Sequence, residues 1–149
     1  MINNENKSII SAFTSNVRYH IMKLGPYDDL YECLNIYIKE QNIQAGSIVT
    51  CVGSLRKINI RLANSTEFIE KEGMQEIVSL VGQIGLQRSH VHISISDTTG
   101  YTMGGHLMTK GNLVYTTAEI TIVEFLNISF SKSFDERTGF DELSIDKTS

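Results

Sequence analysis

The sequence has 149 residues, a hydrophobic content of 41% and a charged content of 20%, which suits one globular domain and excludes a disordered chain. Its formal net charge of −4 argues against general nucleic-acid binding, because non-specific affinity for DNA comes from neutralising phosphates. Residues 1–15 are polar and lack periodicity, so they are predicted to be a loose leader. The domain is predicted over residues 16–143, and residues 144–149 are predicted to be a C-terminal tail.

A strand and a helix open the domain. Residues Val17–Leu24 alternate between apolar and polar, which is the period of a strand, and His20 is an ordinary strand residue in this interpretation. A glycine–proline pair ends the strand. Asp28 and Asp29 then supply negative charge where a helix begins, which favours the helix macrodipole. Apolar residues keep helical spacing over residues 28–41, which predicts one long helix with a face that packs on a sheet.

Several β-type runs follow the helix. Ser47–Val52 is predicted to be a buried strand and residues 57–62 a half-exposed one, with a bend or bulge at Gly53-Ser54 between them. Residues 63–73 are polar and are predicted to be a loop. Glu76–Ile84 is predicted to be another strand.

The C-terminal third continues this pattern. Val114–Phe125 is the longest β-type run, and Ser129–Phe134 is predicted to be a further short strand. Residues 135–149 are charged and polar, and no strand is predicted there. The pattern as a whole is typical of the α+β class, with a mainly antiparallel sheet of about seven strands and one main helix packed on it.

Three of the four histidines lie in one predicted hairpin, residues 90–106. His90 and His92 alternate with apolar residues, so both point to the same face of a strand. A two-residue turn would put His106 on the opposite face, whereas a three-residue turn ending in Gly100 sets His106 opposite His92. In that register three neutral imidazoles supply the protein ligands of an open zinc site, which keeps its fourth coordination position for water or substrate.

A second interpretation of the histidines stays open on spacing alone. Two histidines separated by one residue in a strand can be half-exposed side chains that bind nothing. No cysteine lies near the hairpin, so a closed zinc site of the cysteine-rich structural kind is not indicated.

Seven short motifs, in their order and spacing, resemble the PPC domain (plants and prokaryotes conserved), also called the predicted DNA-binding domain of the AT-hook family. The resemblance runs from about Val17 to Leu143, and the motifs are Gly25–Leu30, Val52–Leu55, Gln75–Gly82, His90–Ser94, Gly104–Leu107, Thr116–Glu119 and Thr138–Phe140.

The resemblance implies an α+β fold with a curved antiparallel sheet, and a homotrimer. The fold is also similar to that of acetolactate decarboxylase, in which histidines of an H-x-H strand and a later histidine hold zinc. Matched residue by residue, His90, His92 and His106 take those positions. Glu119, on the strand after the hairpin, is a candidate acid/base or a partner that orients a ligand. A carboxylate bonded to neighbouring backbone or to a subunit interface is an equally open interpretation of Glu119.

Three functions therefore compete. The first is a stand-alone trimeric PPC-domain protein whose small-molecule pocket contains a site for zinc or another divalent transition metal. Whether such a protein is an enzyme stays open. The second is a DNA-binding or regulatory protein-interaction module, as the family label suggests. The plant members carry an AT-hook ahead of this domain, whereas here the arginines are scattered and no such hook is present. The third is a trimer without chemistry. No apolar run is long enough to cross a membrane, and a cytoplasmic location is the default expectation.

Overall fold

The computed structural model describes residues 12–63 and 66–148. This part of the chain contains one helix and eight strands. In chain order they are β1 (Val17–Leu24), α1 (Leu30–Glu40), β2 (Gly46–Arg61), β3 (Phe68–Ile84), β4 (His90–Asp97), β5 (Thr102–Leu107), β6 (Val114–Phe125), β7 (Ile128–Asp135) and β8 (Phe140–Lys147). The predicted α+β class is confirmed, with eight strands instead of about seven.

Six strands form one curved antiparallel sheet in the order β1-β6-β2-β3-β4-β5. The far edge of this sheet folds back, because β5 also pairs with the end of β2, with Ile60 opposite Leu107 and Arg61 opposite His106. Strands β2 to β5 therefore close into a ring. This closure places the end of β2 beside the return strand of the histidine hairpin.

The core lies between the inner face of the sheet and α1. Leu30, Leu34 and Ile38 of the helix are almost fully buried against apolar strand residues. Burying each such side chain contributes roughly 1.5–3 kcal/mol. Asp29 caps the helix, since its Oδ1 accepts hydrogen bonds from the backbone nitrogens of Tyr31 and Glu32. The predicted helix over residues 28–41 is thus confirmed, with its outermost residues serving as caps and flanks.

Two sequence predictions in the centre of the chain are wrong. The strands expected at residues 47–52 and 57–62 are one long strand, β2, because the predicted irregularity at Gly53 is a bulge that shifts register without ending the strand. The predicted loop over residues 63–73 contains the start of β3. That segment pairs with β2 although it is polar, and Lys57 bridges to Glu70 across the pair at 3.2 Å.

The C-terminal segment also differs from the prediction. Residues 140–147 form β8, which pairs with β7 in a separate two-stranded sheet and includes most of the predicted tail. Leu143 and Ile145 of β8 pack on a small cluster around Phe130. These two apolar residues among charged neighbours are a weak signal, which explains why the strand was not predicted.

Most of the predicted leader, residues 1–11, lies outside the described residues. Its described end is held in place, because Ser15 Oγ donates a hydrogen bond to Asn127 Oδ1 at 2.6 Å. Within residues 12–63 and 66–148, no helix has both the length and the apolar character needed to span a membrane.

Candidate metal centre

The hairpin turn sets the register of the histidines. Asp97 N donates to Tyr101 O at 3.0 Å, and Gly100 has a φ of 84°, the left-handed conformation that glycine adopts without steric cost. The turn therefore has the predicted three residues. His92 lies opposite His106 in the β4–β5 pairing, as predicted.

Asp97 holds this turn from within. Its Oδ1 accepts hydrogen bonds from Thr99 N at 2.9 Å and Tyr101 N at 3.2 Å, while its Oδ2 accepts one from Lys71 Nζ at 2.8 Å. The Lys71 hydrogen bond is the main reason why the pKa of Asp97 lies well below its usual range. The carboxylate thus ties the hairpin tip to β3.

Two glycines let the return strand run close to its neighbours. A Cβ at Gly104 would lie 2.6 Å from the carbonyl oxygen of Ile93, and a Cβ at Gly105 would lie 2.6 Å from that of Arg61. Neither position has room for a side chain. The backbone of β4 therefore lies close to this pair of glycines on one side, and the backbone of β2 lies close on the other.

The three histidine rings meet on the outer face of the sheet. Their ring centroids are 4.8 Å apart for His90 and His92, 5.0 Å for His90 and His106, and 5.7 Å for His92 and His106. One ring nitrogen from each lies within 4.8 Å of the other two. The Nε2 atoms of His90 and His92 are 3.1 Å apart. Two nitrogens bound to one tetrahedral zinc are separated by about 3.3 Å, so this pair already has ligand spacing.

Arg88 fixes the proton on His90. Its guanidinium lies 3.3 Å from His90 Nδ1, and because a guanidinium has no acceptor, Nδ1 must accept. The neutral ring then carries its proton on Nε2, which donates to His92 Nε2. The space between the two rings thus holds one proton in the metal-free protein.

The surroundings of His90 and His106 favour their neutral rings, which is the form that binds metal. Burial, followed by the nearby His90, Arg61 and His92, lowers the pKa of His106 to about 4. Burial and the neighbouring His92 and Arg88 also lower the pKa of His90. His106 Nδ1 is buried and has no hydrogen-bond partner among the described residues. An orphaned imidazole nitrogen beside two further imidazoles fits a site that completes its contacts with a metal and a bound molecule.

Two residues beside the histidines, Arg61 and Arg88, were not predicted from the sequence. Arg61, Val81, His92 and His106 form one cross-strand row on the same sheet face. Arg61 alternates with apolar residues of β2, a pattern typical of a solvated strand edge, and the sequence contains no signal that β5 returns to pair with it. Only the closure of the sheet brings this arginine to the histidines.

Two of the cavities that adjoin the histidines reach both His90 and His106. One has a volume of about 590 Å³ and opens toward Gly104 and Gly105. The other has a volume of about 510 Å³ and opens toward the β7–β8 hairpin. His90 and His106 line both of them. Volumes of this size are typical of small-molecule sites, so a ligand could reach the histidines from either side.

Glu119 is not brought to the histidines within one chain. It lies exposed on β6, opposite Lys23 of β1 and Val52 of β2. The expectation came from its position in the strand after the hairpin, but β2 and β3 lie between β6 and β4 in the sheet, and β2 lies between β6 and β5. Thr117 Oγ1 donates to its carboxylate at 3.5 Å, so this contact of Glu119 is to a neighbouring side chain of β6.

His20 belongs to a different buried cluster. Its Nε2 lies 3.0 Å from Glu124 Oε2 and its Nδ1 lies 3.0 Å from the hydroxyl of Tyr37. Arg18 also contacts Glu124, at 3.3 Å. His20 is therefore a core strand residue that links β1 to β6 and α1, and it is not among the histidines that could share a metal.

Comparison with known proteins places this arrangement in a family. The profile of the Plants and Prokaryotes Conserved (PCC) domain matches residues 11–126. A bifunctional protein GlmU from Synechococcus sp. (strain JA-3-3Ab) is 38% identical over 134 residues, which is 90% of this chain and 21% of that protein. A second GlmU, from Synechococcus sp. (strain JA-2-3B'a(2-13)), is 35% identical over 87% of this chain and 20% of its own length. The chain thus spans about one fifth of the curated relatives it matches.

Two solved structures share the fold. A hypothetical protein from Salmonella cholerae-suis has a TM-score of 0.88 and 31% identity, covering 91% of this chain and 97% of that one. A metal-containing protein from Archaeoglobus fulgidus has a TM-score of 0.77 and 24% identity, covering 91% of this chain and 99% of that one. With the profile match extending over most of the sequence, this chain belongs to the Plants and Prokaryotes Conserved (PCC) domain family.

Proposed function

We propose that this chain binds a divalent transition metal, preferably zinc, through His90, His92 and His106, and that the metal lies in a small-molecule pocket. The observation that carries the proposal is the convergence of one ring nitrogen from each histidine within 4.8 Å. The lowered pKa of His90 and of His106 supports it, because neutral rings need not lose a proton before they bind. The metal-containing Archaeoglobus protein of the same fold adds support.

The chain's own residues would determine what such a site does. A zinc held by three histidines keeps an open coordination position and supplies Lewis-acid polarisation of a carbonyl or of water. Gly104 and Gly105 line one of the cavities that reach the histidines. Arg61 sets positive charge beside the same position, since it lies opposite His106.

We further propose that the chain assembles as a homotrimer through its outer sheet face. This face exposes a set of large apolar side chains on β1, β2 and β3, namely Tyr19, Ile21, Val49, Val52, Val78 and Val81. An apolar face of this extent on a folded domain is typical of an interaction surface. Val81 lies opposite His92, so the apolar face is continuous with the histidines. Glu119 also lies on this face. In the proposed trimer it would approach the histidine site of a neighbouring copy, where it would act as an acid/base.

The location we propose is the cytoplasm. Cys33 and Cys51, the two cysteines of the sequence, are both free thiols. Burial raises the pKa of the Cys51 thiol to about 12, so it is inert. Unpaired thiols are the usual state of cysteine in a reducing compartment.

Metal stoichiometry tests the main proposal. The protein is treated with a chelator, reloaded with zinc, dialysed and analysed by plasma mass spectrometry. We expect about one zinc per chain, and far less in His92→Ala and His106→Ala. His20→Gln is the matched control, since it removes a histidine outside the cluster, and it should retain the metal. A wild-type protein that keeps no zinc, or equal loss in the control, would contradict the proposal.

The DNA-binding alternative has a separate test. A band shift with duplex DNA at ~150 mM salt, whose affinity falls steeply as salt is raised, would support a nucleic-acid module. We expect weak and sequence-independent binding at most, because the chain carries a net charge of −4.

A further inference from the structure

The cavity between the histidines and the β7–β8 hairpin has a cationic wall. Its volume is about 510 Å³, and its cationic lining residues are Arg61, Arg88 and Lys132. Each comes from a different part of the chain: the end of β2, the segment before β4, and β7. The cavity is large enough for a small organic molecule, which would touch His90 and His106 on one side and these cations on the other.

Arg88 is held rigidly in this wall. Its side chain is only 10% exposed and donates to the backbone oxygen of Asp141 at 2.8 Å. The remaining contacts of its guanidinium are His90 Nδ1 at 3.3 Å and, more distantly, a carboxylate oxygen of Glu142 at 3.9 Å. A planar guanidinium fixed in this way is a preorganised partner for an oxyanion.

Cationic side chains outnumber carboxylates in the lining of this cavity. Three cationic side chains line it together with two carboxylates, those of Asp141 and Glu142. The Glu142 carboxylate is half exposed and lies 3.9 Å from the Arg88 guanidinium, beyond hydrogen-bond distance, so it offsets the arginine weakly. A divalent metal on the histidines would add to the excess.

Two buried polar atoms in the same wall lack partners. Ser89 Oγ and His106 Nδ1 are both buried and without a hydrogen bond in the described part of the chain, and both residues line this cavity. Buried polar groups are nearly always hydrogen-bonded, so unpaired ones in a cavity wall point to a polar ligand or ordered water.

We infer that this cavity binds the oxyanion group, a carboxylate or a phosphate, of a small molecule, through Arg61, Arg88 and Lys132. Another oxygen of the same molecule would then face the histidine site. This second contact rests on the proposed metal function, whereas the contact with the cations does not. The natural ligand is thus a small organic anion that also carries an oxygen able to coordinate a metal.

The test compares glycolate with glycolamide, its uncharged counterpart of nearly the same shape. Both are titrated into the chelator-treated protein and into the zinc-loaded protein, with binding followed by amide chemical shifts in NMR. We expect glycolate to bind about tenfold more tightly than glycolamide in both forms, because hydrogen bonds to charged groups are the stronger ones. Shifts should concentrate at the cavity-lining residues. Inorganic phosphate in a parallel titration distinguishes a phosphate site from a carboxylate site.

Variants that remove one positive charge test which side chains of the cavity bind the anion. Lys132→Met and Arg61→Met should each weaken glycolate binding by about fivefold or more and leave glycolamide binding unchanged. Lys110→Met is the matched control, because this lysine is exposed and does not line the cavity, and it should change neither. Equal affinity for the two probes, or equal affinity of Lys132→Met and wild type for glycolate, would overturn the inference.

The two proposals fail in different ways. If the chain retains no zinc but the metal-free form prefers glycolate, the anion site stands and the metal proposal fails. If the chain retains zinc and shows no preference for glycolate over glycolamide, the metal proposal stands and the anion site fails.

Discussion

Arg88 donates a hydrogen bond to His90 Nδ1 at 3.3 Å, and this contact works against a metal on the other side of the ring. It keeps the ring proton on Nε2, which lies 3.1 Å from His92 Nε2. Binding through Nε2 would move that proton to Nδ1, where it would face the guanidinium donor. Ligating histidines usually donate this second N–H to an acceptor, and Arg88 cannot be one.

Substitution of Arg88 should therefore strengthen metal binding. Arg88→Gln replaces the donor-only group with one that has a carbonyl acceptor, and we expect zinc affinity to rise by about tenfold, measured by competition with a chromophoric chelator. Arg88→Met removes the charge without offering an acceptor and should give a smaller gain. A folded Arg88→Gln protein with weaker zinc binding than wild type would show that the arginine supports the metal.

Gly105 should be essential to the shape of the hairpin. A Cβ at this position would lie 2.6 Å from the Arg61 carbonyl oxygen, so Gly105→Ala must push β5 away from β2. We expect the free energy of unfolding to fall by about 1–3 kcal/mol in urea titrations, with a parallel loss of zinc affinity. Gly25→Ala is the control, because its Cβ would meet only Asp28 Oδ2 at 3.8 Å. If both variants are as stable as wild type, the close approach has no energetic consequence.

The stability of the metal-free protein should depend on the histidine cluster at mildly acidic pH. The pKa of His106 is lowered from 6.5 to about 4, so between these values the unfolded chain binds a proton that the folded chain excludes. The free energy of unfolding should therefore fall as pH is lowered from 6.5 toward 4. His106→Gln should show a shallower fall in urea titrations at one protein concentration. Identical slopes for the two proteins would contradict the lowered pKa.

The outer apolar face should control assembly. Ile21 is 82% exposed in one chain, and burying a lysine in an apolar subunit interface is costly, so Ile21→Lys should dissociate the proposed trimer. Light scattering at micromolar concentration measures the mass. Ile36→Lys, at an exposed apolar residue of α1, is the control and should leave the mass unchanged. A monomeric wild-type protein would refute the trimer.

The histidine register could be predicted from sequence because it depends on local features. A slip of one residue turns every side chain of a strand to the other face, so the alternation around His92 and the turn at Gly100 were enough to align His92 with His106. The helix was predictable for the same reason, since Asp29 and the apolar spacing after it act within a few residues of one another.

The remaining site residues depend on contacts between distant parts of the chain. Arg61 reaches His106 only because β5 pairs with β2, and no local pattern encodes that closure. Glu119 was expected near the histidines because it follows them in sequence, but strand order in the sheet is not chain order. Arg88 is anchored by its hydrogen bond to the backbone oxygen of Asp141 in β8. This half-exposed strand has too few apolar residues to be predicted from the sequence.

Anomalous X-ray scattering from crystals grown with zinc is the most direct test of the metal centre. Data collected just above the zinc absorption edge should show one peak per chain, roughly 2.0–2.1 Å from one ring nitrogen each of His90, His92 and His106. The peak should vanish below the edge. Density maps without a peak between these three rings, or with zinc held only by other residues, would contradict the assignment of the histidines as a metal site.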